Sequence, residues 1–177
     1  MNPVWGVLIA ALWVWAVWLF NRLVRDRNRV LAAWSDIDVQ LKRRHDLIPK
    51  LVDAVRQYAA YEQSTLNALT ELRARSEADG GAATRGPIEH ELSAGLRRLI
   101  AVAENYPELK ANANFLDLQQ QLSTVETDIQ YARRYYNGAV RNLNTRIDSF
   151  PDLIIARLFG YRYADYFQLE EDEAGAA

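Results

Sequence analysis

The chain holds two histidines, and each stands beside a carboxylate. His45 precedes Asp46 in "RRHD", a pairing that could orient an imidazole as a general base. His90 lies inside "EHE", Glu89 to Glu91, whose groups could attract a metal ion. Successive residues on a helix point about 100° apart, so those three side chains do not readily converge on one ion. They suit a solvated, acid-rich helix start instead. Neither HExxH nor Glu-x-x-His spacing occurs, and no glycine-rich phosphate loop or oxyanion turn is evident. The absence of cysteine removes thiolate ligands, a thiol nucleophile and disulfides together. His45 therefore has no evident nucleophile to activate. It reads as a histidine packed beside Pro49, whose missing N–H frees the His45 carbonyl. The expectation is no catalytic residue, no cofactor and no metal.

A third constellation is "YARRYYNGAVRNLN", with Tyr131, Tyr135 and Tyr136 among Arg133, Arg134 and Arg141. Interleaved rings and guanidinium groups can bind single-stranded nucleic acid. Here Tyr136 falls on an apolar seam and the formal charge of the chain is only −2. Intramolecular packing is the expectation, with no nucleic-acid partner. Asn137 and Asn142 could serve interhelical hydrogen bonds or an oligomer contact. Phe159, Tyr161, Tyr163, Tyr166 and Phe167 could either cap the bundle end or meet a neighbouring subunit or the membrane surface.

Long helices must position these residues, because only five prolines and eight glycines punctuate 177 residues. Residues 1–21 read as a transmembrane anchor. Pro3 to Phe20 is uncharged and would span roughly 27 Å as a helix, against about 30 Å of hydrocarbon core. Trp5 and Trp18 lie near its ends, where indoles prefer the interface, and Gly6 and Ala10 make a small-xxx-small pair. Arg22, Arg25, Arg27 and Arg29 follow, against one acid, Asp26. The positive-inside rule then puts the N-terminus outside and the remainder in the cytoplasm.

Residues 22–168 read as an all-α, elongated antiparallel bundle of three main helices and a short fourth. Their expected spans are about 22–75, 87–103, 107–149 and 151–159. Along the first, Val30, Trp34, Ile37, Leu41, Ile48, Val52, Val55, Ala59, Leu66 and Leu69 recur mostly at steps of three and four. Between Leu41 and Ile48 this seam passes through Arg44 and His45, with one stutter in the count. A kink or bulge beginning at His45 is the prediction. Arg44, near the seam, needs a partner, and Glu126 or Asp128 is the candidate. The last helix stops at Gly160, a natural C′ residue, and residues 169–177 read as an acidic, disordered tail.

Several blocks in order resemble the LemA family of bacterial membrane-anchored helical proteins. They are "AWSDIDVQLKRRHDLIPKLVDAVRQYAAYE", "ENYPELKANANFLDLQQQL", "TVETDIQYARRYYNGAVRNLN" and "IDSFPDLIIARLFGY". The resemblance implies a membrane helix followed by a helical bundle, makes Pro49 part of the family pattern, and implies no reaction. The functional expectation is a membrane-anchored scaffold or adaptor. Its partners would be the lipid bilayer and either further copies of the chain or another membrane protein. Membrane shaping is the alternative, and an enzyme centred on His45 the third class.

Overall fold

The computed structural model describes residues 3–58 and 63–168. Among these residues there are six helices and no strand: α1 Pro3–Arg56, α2 Gln63–Ala78, α3 Ala82–Ala103, α4 Pro107–Lys110, α5 Ala113–Asp148 and α6 Asp152–Leu158. The all-α class stands, but two expected helices are divided. Residues 22–75 do not form one helix. α1 ends at Arg56, where the Tyr58 amide donates to the Val55 carbonyl at 3.0 Å, and α2 begins at Gln63. Residues 107–149 are also divided, because Asn112 caps a new helix. Its Oδ1 accepts from the amides of Asn114 and Phe115 at 2.9 and 3.2 Å, which closes α4 behind it and opens α5. Ala59 of the expected seam and the acidic tail 169–177 lie outside the described residues.

Helix α3 starts earlier than Pro87. Asp79 accepts from the Gly81 amide at 3.2 Å and the Thr84 hydroxyl at 2.5 Å, so the turn between α2 and α3 needs only residues 79–81. Pro49 does not break α1, which stays helical from Pro3 to Arg56 without the expected bulge.

The chain divides into two compact units, and α1 and α5 contribute to both. The first joins residues 1–35 to 134–165. Asp26 meets Arg146 and Trp34 meets Tyr136, so the two helices run antiparallel here. Leu19, Leu23, Val30 and Ala33 of α1 are buried, as are Val140, Leu143 and Ile147 of α5. α6 ends in a Schellman turn: the Tyr161 amide donates to Ala156 O at 2.9 Å and that of Gly160 to Arg157 O at 3.3 Å. Gly160 takes φ +67, as that turn requires. The irregular segment that follows is tied to α5 by Asn144, whose amide group donates to and accepts from the Ala164 backbone, each at 2.9 Å.

The second unit holds residues 36–133 and 166–177. Its core joins Ile48, Leu51, Val52 and Val55 to Leu66 and Leu69 of α2, Leu92, Leu96 and Leu99 of α3, and Phe115 and Leu122 of α5. Close packing admits glycine alone at one point. A Cβ on Gly86 would stand 2.2 Å from the Gln168 carbonyl oxygen, so this residue lets the C-terminal segment lie against α3. Phe167 of that segment is fully buried.

Candidate functional site

One layer of the second unit is polar. Arg44 and His45 lie between Leu41 and Ile48 on the buried side of α1, and each exposes 1% of its surface. Arg73 and Ser76 continue the three-and-four spacing of Leu66 and Leu69 on α2. Arg85 and Glu89 do the same ahead of Leu92 and Leu96 on α3, and Glu126 follows Val125 on α5. The helix periods that build the core thus bring charged groups inward at a single level.

Glu89 is the hub. Its Oε2 accepts from Arg44, and its Oε1 accepts from the Ser76 hydroxyl and from His45 Nε2, the last at 2.9 Å. A carboxylate only accepts, so His45 carries its proton on Nε2. Arg44 Nη1 donates to both Glu126 oxygens at 2.7 and 3.0 Å and to Ser93 at 2.7 Å. Arg85 stands 3.6 Å from Glu89 and reaches out to Asp38 at 2.6 Å. The carbonyl freed by Pro49 is taken as well: Arg73 Nε donates to His45 O at 2.9 Å, and its Nη2 pairs with Glu77 at 2.9 Å. An arginine from α2 replaces the helix's own N–H.

Burial and the neighbouring charges of Arg44, Arg85 and Arg73 push His45 down to about 4, with only Asp46 pulling the other way. Desolvation also lowers Arg44, opposed by Glu126. Near neutral pH the imidazole in this layer is neutral. Both oxygens of Glu89 and Nε2 of His45 are already engaged. The layer is suited to fixing helix register rather than to turning over a substrate.

The sequence-stated residues divide accordingly. Arg44, His45 and Glu126 meet in this layer, whereas Asp46 and Pro49 are exposed. Asp128 pairs with Arg43 at 3.8 Å. Glu89 corrects the solvated helix start: α3 begins at Ala82, which turns Glu89 inward while Glu91 stays exposed. Sequence reasoning missed Glu89, Arg85, Ser76 and Arg73, although each stands three or four residues from the next seam position on its helix. It also missed Asp26, which is buried in the first unit and accepts from Arg29 at 3.1 Å and from Arg146.

The C-terminal aromatics do not act as one group. Phe159 packs its ring at a tilt against Phe20, centroids 4.8 Å apart, and Tyr163 donates to Asp148 at 2.5 Å, while Phe167 is enclosed. Tyr161 is half-buried, and Tyr166 is exposed. Asn142 is exposed, and Asn137 is half-buried and engaged. Around Gly6 a Cβ would meet open space, and Ala10 and Arg25 are exposed.

The start of α1 contrasts with the polar layer. Trp5 is 63% exposed and Val14 72%, in the one helix among the described residues that is long and apolar enough to cross a membrane. A helix buried in a soluble core would cover such side chains. Near its end the Arg22 guanidinium lies 5.3 Å from the Trp18 ring and 4.0 Å from Asp152.

Similarity to known proteins agrees with this architecture. The chain is 28% identical to Protein LemA of Metamycoplasma hominis over 154 residues, which cover 86% of this chain and 70% of that protein. It is 25% identical to Magnetosome protein MamQ 2 of Paramagnetospirillum magneticum over 175 residues. To Magnetosome protein MamQ of Magnetospirillum gryphiswaldense it is 24% identical over 174 residues. These two matches cover 84% of this chain and 64% of each MamQ protein, just under two thirds of their length. The LemA family model matches residues 33–177, which include every side chain of the polar layer. With its apolar N-terminal helix and its all-α body, this membrane-associated chain belongs to the LemA family.

Proposed function

We propose that the chain is a single-pass membrane protein, N-terminus outside, whose cytoplasmic helical region works as a self-associating scaffold or adaptor without catalysis. The observation that carries this reading is the contrast along α1. Its side chains from Val4 to Val17 are almost all open, while the seam from Leu19 onward is buried. A helix of that kind is stable only with lipid around its first part. Arginines gather just after the apolar run, which favours the cytoplasmic side for the rest. In the polar layer both oxygens of Glu89 and Nε2 of His45 are already held by neighbouring side chains, which favours a structural role.

In-membrane crosslinking through exposed lysines, followed by identification of the products, tests the reading. A ladder of the chain with itself supports assembly, and one recurrent foreign protein supports an adaptor. Monomer alone, over a range of expression levels, contradicts both. Membrane organisation by assembled copies is the second reading. It is favoured by the exposed apolar residues Phe150, Ile154 and Leu158 at and around α6.

A further inference from the structure

We infer that α6 is a second membrane-inserted element, and that with α1 it forms a site for one anionic phospholipid of the bilayer that α1 crosses. This rests on the reading of α1 as a transmembrane helix. Two clefts of the first unit share a wall. The outer one, about 450 Å³ and open on one side, is lined by Leu12, Trp13, Val17 and Phe20 of α1 with Leu158 and Phe159 near the end of α6. No charged side chain lines it. The inner one, about 490 Å³, contains Arg27, Arg162, Tyr161 and Tyr163. Phe20 and Phe159, in tilted contact with centroids 4.8 Å apart, line both clefts.

Depth follows from α1. The apolar run ends at Phe20 and the arginines begin at Arg22, so the boundary between hydrocarbon and headgroups falls at the shared wall. Leu12 lies about 12 Å further along the helix, within the leaflet on that side. Side chains of α6 that share a cleft with Leu12 and Trp13 stand at the same level as those residues. That accounts for the 74% exposure of Leu158, which water would oppose. At the other end of α6, Asp152 is buried and 4.0 Å from Arg22, at headgroup level. The Schellman turn at Gly160 then carries the chain from Phe159, on the wall, to Arg162, in the inner cleft.

Charge selects the lipid. The first unit carries nine arginines against four aspartates, a formal +5 in a chain of net −2. An acyl chain fits the outer cleft, and a phosphate fits the inner one beside Arg27 and Arg162.

The absence of native cysteine makes the test direct. The full-length chain is reconstituted in phosphatidylcholine vesicles, with and without phosphatidylglycerol, after single substitution Leu158→Cys, Val14→Cys or Glu108→Cys and attachment of an environment-sensitive fluorophore. Chain-brominated lipid should quench the labels at positions 158 and 14 alike and leave that at 108 bright. Quenching at 14 but not at 158 overturns the insertion of α6. A bright label at both shows that the anchor reading itself has failed. Disulfide-linked dimers through position 158 would show that a second copy fills the cleft, which also overturns the proposal. In mixed vesicles, Arg27→Gln or Arg162→Gln should lower co-purified phosphatidylglycerol relative to phosphatidylcholine roughly fivefold each. An unchanged ratio overturns the headgroup site.

Discussion

At the scale of single residues, the layer around Glu89 sets two expectations. Glu89 faces Arg44 and Arg85 in a space without water access. Glu89→Leu leaves both guanidinium groups short of a partner and should cost about 3 kcal/mol or more, read from denaturant unfolding in detergent. The same contacts decide the outcome of a charge exchange. Arg44→Glu combined with Glu126→Arg would look conservative if those two residues met only each other. The introduced carboxylate would instead face Glu89, so the double variant should fold no better than either single one. A rescued double variant would show that Arg44 answers to Glu126 alone.

His45 gives the pH dependence. The unfolded chain takes up a proton on this imidazole near the ordinary histidine value of about 6.5, whereas the folded chain refuses it until about 4. Between those values the unfolded state binds more protons, so stability falls as pH falls. Unfolding midpoints should be level above about pH 7 and decline toward pH 5. In His45→Gln that decline should largely vanish. A wild-type midpoint that rises on acidification would mean that the folded state holds His45 as a cation.

At the scale of elements, Pro49 is tolerated because α2 supplies what it removes. Arg73→Met leaves the His45 carbonyl unpartnered and should cost about 1–3 kcal/mol. In a Pro49→Ala background the helix regains its N–H, and the same change at Arg73 should cost clearly less. Equal costs in the two backgrounds, by a double-mutant cycle, would show that the hydrogen bond from Arg73 is not what offsets the proline.

Legibility in the sequence follows from the same elements. The apolar seam was readable from its spacing: Val30, Ile37, Leu41, Ile48, Val52, Val55, Leu66 and Leu69 were expected inside and are buried. Arg44 was legible as a seam charge that needs a carboxylate. Glu89 was not, because Pro87 beside an acid-rich run imitates a helix start, and Asp79 with Gly81 moves the true start five residues earlier. The division at Asn112 depended on one side chain turning back to cap, a local competition that periodicity does not record. The site on α6 depended on which helix lies beside the anchor, which no local pattern encodes.

At the scale of the whole molecule, the proposed function combines a membrane anchor with helical units that hold buried ion pairs. Its central claim is that the helical region past Arg22 lies on the cytoplasmic side of a membrane crossed once by α1. The most direct measurement uses Glu108→Cys, an exposed position on α4, in intact spheroplasts treated with a membrane-impermeant maleimide. The account predicts that the thiol stays unlabelled until the membrane is permeabilised, and that the chain sediments with membranes after a high-salt wash. Labelling of the intact spheroplasts would contradict it.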